Sequence, residues 1–190
     1  MEAALERYAQ LHPDADRPAV RWLPFQLNPD VPESGMSRAE YLERKFGTRT
    51  RTYDRVAAAG AAVGIPFAFD RITVQPNTVN AHRLFLYAER LQRQDDMADA
   101  LFRAYFVEGA NLADRAALAD IAAAAGFDRE GVAAYLESDA DRETILREDA
   151  GRGGAGAIDG VPFFIFNRKI GVSGAQGAEV LLDALEQSLA

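Results

Sequence analysis

The run Val161-Pro162-Phe163-Phe164-Ile165-Phe166 constrains this chain more than any other stretch, because β-branched and aromatic side chains in succession fit a buried strand. Asn167 and Arg168 offer a turn, and residues 169–172 can pair back as the second strand of a hairpin. A last helix is expected at about 178–188, with Val180, Leu181, Leu182, Leu185 and Leu189 as its apolar residues.

The rest of the chain carries mostly helical spacing. Met1, Leu5, Tyr8 and Leu11 form one apolar stripe, and no capping side chain precedes its first turn. Residues 20–25 read as a strand that bends or lies at an edge, since Pro24 has no N–H to donate. Pro29, Pro32 and Gly35 make 28–35 a loop, and Ser37 with Glu40 has the form of a capping box opening a helix to about residue 46. Helices are predicted over 50–62, from Asn77 or Thr78 to about 92, over 96–108, 114–125 and 129–136, and from Asp139 or Asp141 to about 151. A short extended stretch is expected at 67–74. This order predicts an α/β sheet with a large all-helical insertion. The glycines at 151, 153, 154, 156 and 160 do not form the phosphate-loop pattern G-x-x-x-x-G-K-[S/T].

A length of 190 residues with 48% hydrophobic content supports one domain with an inserted subdomain. The net charge of -8, with Lys and Arg scattered, argues against a nucleic-acid partner. No apolar run is long enough for a membrane span, so no membrane partner is expected. Residues 1–7 have neither the basic start nor the apolar stretch of a secretory signal, which leads to an expected cytoplasmic location. With no cysteine, disulfides and thiolate metal sites are excluded, and His12 and His82 alone argue against a histidine-rich metal centre. The acid pairs Asp95-Asp96 and Glu148-Asp149 read as solvated. Oligomeric state is not legible.

Four motifs follow one another: Trp-Leu-Pro-Phe-Gln-Leu-Asn-Pro at 22–29, Pro-Asn-Thr-Val-Asn-Ala-His-Arg-Leu at 76–84, Gly-Val-Pro-Phe-Phe at 160–164 and Ser-Gly-Ala-Gln at 173–176. In this order the chain resembles the DsbA-family thioredoxin-fold oxidoreductases, most closely the FrnE-like branch related to 2-hydroxychromene-2-carboxylate isomerases. The resemblance covers nearly all 190 residues. It implies an incomplete thioredoxin-like domain at 1–27 and 151–190 and a helical insertion domain at 28–150. In that family a first strand and a Cys-x-x-Cys pair precede the helix that residues 1–11 resemble, and the attacking thiolate sits where the helix N-terminus stabilises the anion. Here that strand and those cysteines are absent, so no catalytic residue is assigned and the chain is expected to be redox-inactive as it stands. If about four buried side chains of the strand are lost at roughly 1.5–3 kcal/mol each, the cost is on the order of 6–12 kcal/mol. Whole-domain stability is only about 5–15 kcal/mol. A start set too far downstream is therefore expected.

The resemblance also implies substrate-binding residues. Pro162 matches a proline that is cis beside the family's redox site, against about 5–6% for X–Pro bonds at large. The Val161 backbone would then be free to pair with an extended peptide. Asn77 and His82, near a helix start, can hold a ligand carboxylate or oxyanion, with His82 as acid or base. By residue type alone His82 packs, Asn77 caps and Trp22 fills core, with groove lining second for Trp22. Ser173, Gly174 and Gln176 match a turn that contacts ligand in related glutathione-using proteins, while Ser173 reads equally as the N-cap of the last helix. The expected partner is a thiol-containing protein or small-molecule substrate, with no cofactor. Two alternatives stand beside it: a glutathione-dependent isomerase, and a non-catalytic protein that binds a peptide or hydrophobic ligand.

Overall fold

Met1 starts helix α1 (Glu2–Leu11) without a side-chain cap, its carbonyl accepting from the Ala4 and Leu5 N–H groups. Ala4, Leu5 and Tyr8 are buried but Leu11 is exposed, so the buried stripe is one turn shorter than the spacing predicts. The computed structural model describes residues 1–47, 53–152, 158 and 160–189.

No strand forms at 20–25. Backbone groups of Trp22 and Phe25 are bonded by side chains instead of a ladder. Trp22 N–H donates to Gln94 Oε1 at 3.0 Å, and Gln94 Nε2 donates back to the Trp22 carbonyl at 3.3 Å. The Phe25 carbonyl accepts from His82 Nε2 at 3.2 Å, and Gln26 N–H donates to Asp149 Oδ1 at 2.6 Å. Pro24 removes a donor from the middle of the segment, so a regular ladder would have been broken there in any case. By packing, the residues fall into two units, Met1–Arg21 with Ala150–Ala190, and Trp22–Asp149. The resemblance draws its limits at 27/28 and 150/151.

In the second unit, β1 (Met36–Ser37) pairs antiparallel with β2 (Val74–Gln75). Ser37 also caps α2 (Arg38–Phe46), its Oγ accepting from the Glu40 N–H at 3.5 Å as the capping pattern predicts. Helix α3 (Asp54–Ala62) follows; residues 48–52, where the helix was expected to begin, lie outside the described residues. A 3-10 turn (Phe69–Arg71) leads into β2, and Asn77 Oδ1 accepts from the Val79 N–H at the start of α4 (Val79–Arg90). Helix α5 (Gln94–Arg103) runs on into a wider π-helical turn (Ala104–Glu108) that ends at Gly109. Gly109 has φ +77, and a Cβ there would lie 2.6 Å from the Arg71 backbone, so only glycine fits. Asp114 caps α6 (Arg115–Ala124) and Asp128 caps α7 (Arg129–Glu137), each accepting from two backbone N–H groups; α8 (Arg142–Arg152) follows. Leu84, Met97, Leu118, Val132 and Leu136 form the centre of this unit's core.

In the first unit, β3 (Phe163–Phe166) pairs antiparallel with β4 (Ile170–Ser173), Phe163 opposite Ser173 and Phe166 opposite Ile170. Asn167 and Arg168 turn the hairpin with φ +48 and +59, the paired left-handed geometry that suits the strands' twist. Side chains alternate across the strand. Phe164 and Phe166 face a cluster built from Leu5 and Tyr8 of α1 and Leu181, Leu182 and Leu185 of α9 (Ala178–Leu189), while Ile165 is 50% exposed. Among the described residues β3 has a neighbouring strand on one edge only. Gly153, Gly154 and Gly156 of the glycine-dense stretch lie outside the described residues. No described helix is long and apolar enough to cross a membrane.

Candidate functional site

Five of the eight expected substrate-binding residues meet at one end of the hairpin. The Val161–Pro162 peptide bond is cis, and Val161 is 53% exposed. The Pro162 carbonyl accepts from the Gly174 N–H at 2.9 Å, which ties the residue entering β3 to the turn leaving β4. That turn is held from within. Gln176 N–H donates to the Gly174 carbonyl at 2.9 Å, and Gln176 Nε2 donates to the Ser173 carbonyl at 2.9 Å. Gly174 has φ +83, a left-handed conformation that reverses the chain between β4 and α9.

The N-cap reading of Ser173 is corrected by this geometry. Ser173 is the last residue of β4, paired with Phe163, and α9 starts at Ala178. The Gly174–Gln176 bonds use up the residues in between, so the Ser173 hydroxyl stands too far upstream to reach the helix's first N–H groups.

The other three residues lie in the unit Trp22–Asp149. Trp22 stacks on Phe85 at 5.9 Å and tilts against Phe102 at 5.6 Å, and its Nε1 donates to Asp95 Oδ1 at 2.7 Å. His82 lies 6.4 Å from the same Phe85 ring, so Trp22 and His82 share one aromatic neighbour. Asn77 is elsewhere. Its Nδ2 donates to the Val31 carbonyl at 2.8 Å while its Oδ1 caps the chain at Val79, which fills its side chain with structural bonds.

Asp95 is exposed, as its spacing predicts, whereas Asp149 is half-buried, which its spacing does not predict. Asp149 accepts from both the backbone N–H and Nε2 of Gln26, and Asp95 takes the indole N–H. Both acids tether the segment after Trp22. Arg83, which lies in the 76–84 motif but is given no role by it, is 1% exposed, and its guanidinium donates to Asn80 Oδ1 and to the carbonyls of Tyr135, Leu136, Ser138 and Ala140. Beside it, Asp141 accepts from Tyr135 Oη and Arg90 Nη2, both at 2.6 Å. Burial pushes the Asp141 carboxyl up, but these hydrogen bonds outweigh it and hold the group below the usual carboxylate range. No cluster of three or more His, Cys, Asp or Glu able to hold a metal occurs among the described residues.

Comparison with known proteins adds three findings. A family model described as a DSBA-like thioredoxin domain matches residues 1–186. The uncharacterized protein YwbO of Bacillus subtilis (strain 168) is 24% identical over 172 residues, which is 87% of this chain and 80% of the relative. The crystal structure of a probable DsbA oxidoreductase from Streptomyces coelicolor matches with a TM-score of 0.80 at 30% identity, covering 99% of this chain and 82% of that one.

Proposed function

The chain belongs to the DsbA-like thioredoxin-domain family and has its thioredoxin-like fold, and from that premise we propose that it binds the substrate of a thiol–disulfide oxidoreductase without supplying the redox sulfur. The substrate is an extended thiol-bearing peptide or a small thiol, and it docks along Val161, Pro162 and the turn through Ser173, Gly174 and Gln176. The order of the four motifs favours the FrnE-like branch for this reading.

The observation that carries the proposal is the bond from Gly174 N–H to the Pro162 carbonyl at 2.9 Å, beside a half-exposed Val161. It fixes an edge of extended backbone next to a rigid turn, the arrangement in which main-chain hydrogen bonds capture an extended ligand. Thiol–disulfide exchange proceeds by attack of a thiolate on a disulfide sulfur through a mixed disulfide. These 190 residues contain no cysteine, so none of their side chains can be either partner in that step.

A short peptide whose cysteine is methylated, titrated into the 190-residue chain by calorimetry, tests the docking. Val161→Asp is expected to weaken binding about tenfold, because a charge placed on the docking edge must be desolvated. Unchanged affinity in that variant would end the proposal. Preference for glutathione over the peptide would move the site to the isomerase reading.

A further inference from the structure

Strand β3 has two faces and two edges, and the hairpin unit uses one of each. One face packs through Phe164 and Phe166 on the cluster from α1 and α9, and one edge pairs with β4. Phe163 and Ile165 point to the opposite face. The Phe163 ring lies over Gly171, where a Cβ would meet it at 3.0 Å. Ile165 pairs with that same glycine, so no side chain stands across from it on β4, and it is 50% exposed.

The backbone of the second edge follows from the first. The Pro162 carbonyl accepts from the Gly174 N–H, and the register then runs one for one, without a bulge, to Phe166 opposite Ile170. In an antiparallel ladder, residues that bond the neighbouring strand alternate with residues that point their N–H and C=O the other way. Pro162, Phe164 and Phe166 therefore face β4. Phe163 and Ile165 aim two donors and two acceptors at the other edge, where no strand of the described residues meets them. Sheet edges are ordinarily protected by a charge, a proline or a bulge. From Phe163 to Phe166 there is none of these.

We infer that a second copy of this chain covers this edge, its β3 lying antiparallel to the first about a two-fold axis beside Phe164. The two outward-facing residues are symmetric about Phe164, so the strand is its own complement. Phe163 of one copy comes opposite Ile165 of the other, and the same pair recurs across the axis. Each pair exchanges both of its backbone hydrogen bonds, and on the exposed face the Phe163 ring comes beside the half-exposed Ile165, an aromatic and β-branched pair that stabilises neighbouring strands. An unrelated strand would find the same backbone groups without this two-fold match of side chains. Residues 161–166 are uncharged, so two chains of net charge -8 meet where neither repels the other. A pair of four-residue strands buries less than the about 1,200 Å² of a standard interface, which makes the dimer weak and concentration-dependent. The inference needs neither substrate nor sulfur and stands apart from the docking reading.

Sedimentation equilibrium of the full chain from micromolar to millimolar concentration, with no peptide present, tests it. The mass should rise from 20.7 kDa toward twice that value and stop there. Amide exchange followed by NMR over the same range should slow at Phe163 and Ile165 and hold steady at Phe164 and Phe166, whose N–H groups face β4 at every concentration. Ile165→Lys sets a charge on the pairing edge and should weaken association about tenfold while Tm holds, because this side chain points away from the core. Val63→Lys, at a residue 72% exposed in the other unit, should associate like the parent. The inference is overturned if the mass stays at 20.7 kDa at millimolar concentration or climbs past two copies. It is equally overturned if Ile165→Lys associates like the parent, if Val63→Lys abolishes association, or if the amides that slow lie outside β3.

Discussion

In Trp22–Asp149 a buried arginine gathers the carbonyls that end α7, whereas the unit containing the hairpin is centred on hydrocarbon: Leu5, Phe166, Leu181, Leu182 and Leu185. The helical unit thus combines apolar packing with directional polar locks. The hairpin unit has polar bonds at both ends of the hairpin: Asn167 Nδ2 donates to Ser188 Oγ at 3.1 Å beside the turn, and Gly174 and Gln176 shape the candidate docking edge at the other end. Buried polar networks impose one geometry but fail sharply when a member is removed, while apolar packing loses stability in proportion to the cavity left behind.

The largest effect should come from breaking the arginine lock. Arg83→Met removes the donor shared by Asn80 Oδ1, the buried Leu136 carbonyl and the part-buried carbonyls of Tyr135, Ser138 and Ala140, and is expected to cost about 3–5 kcal/mol in urea unfolding. Leu181→Ala, in the hydrocarbon core of the other unit, should cost about 2–4 kcal/mol by the same measurement. If the arginine variant proved the milder of the two, the contrast between the units would be wrong.

A smaller effect sharpens the comparison through pH. Asp141 is held below the ordinary carboxylate range by Tyr135 and Arg90 despite its burial, so its contribution is present above about pH 4, near its unfolded value, and is lost as pH falls through the lower folded value. Asp141→Asn should cost about 1–2 kcal/mol at pH 7 and flatten the acid limb of the stability curve. An unchanged acid limb would remove Asp141 from the lock. The smallest change is expected at Asp95→Asn, which weakens one hydrogen bond from the Trp22 indole, at about 0.5–1 kcal/mol, read by a shift in tryptophan fluorescence on mild denaturation.

What could be read in advance follows from how local each signal is. The hairpin at 161–172 and the helices capped by Ser37, Asp114 and Asp128 were legible because turn, cap and period lie within a few residues of one another. The expected strand at 20–25 was not, because what holds that segment comes from far along the chain: Gln94 is 72 residues from Trp22, and Asp149 is 123 from Gln26. The same distance hid Arg83, whose carbonyl acceptors lie 52 to 57 residues away. Pro162, Ser173, Gly174 and Gln176 are singled out by motif order, and spacing alone does not join the residue before β3 to the turn after β4.

A turnover assay tests most directly whether these 190 residues exchange disulfides without a cysteine. Purified chain of this length, mixed with a dithiol peptide and an oxidised small disulfide, should give peptide oxidation at the rate of the protein-free blank while the same sample binds the methylated peptide. Oxidation above the blank that grows in proportion to chain concentration, in material free of other thiol enzymes, would contradict it.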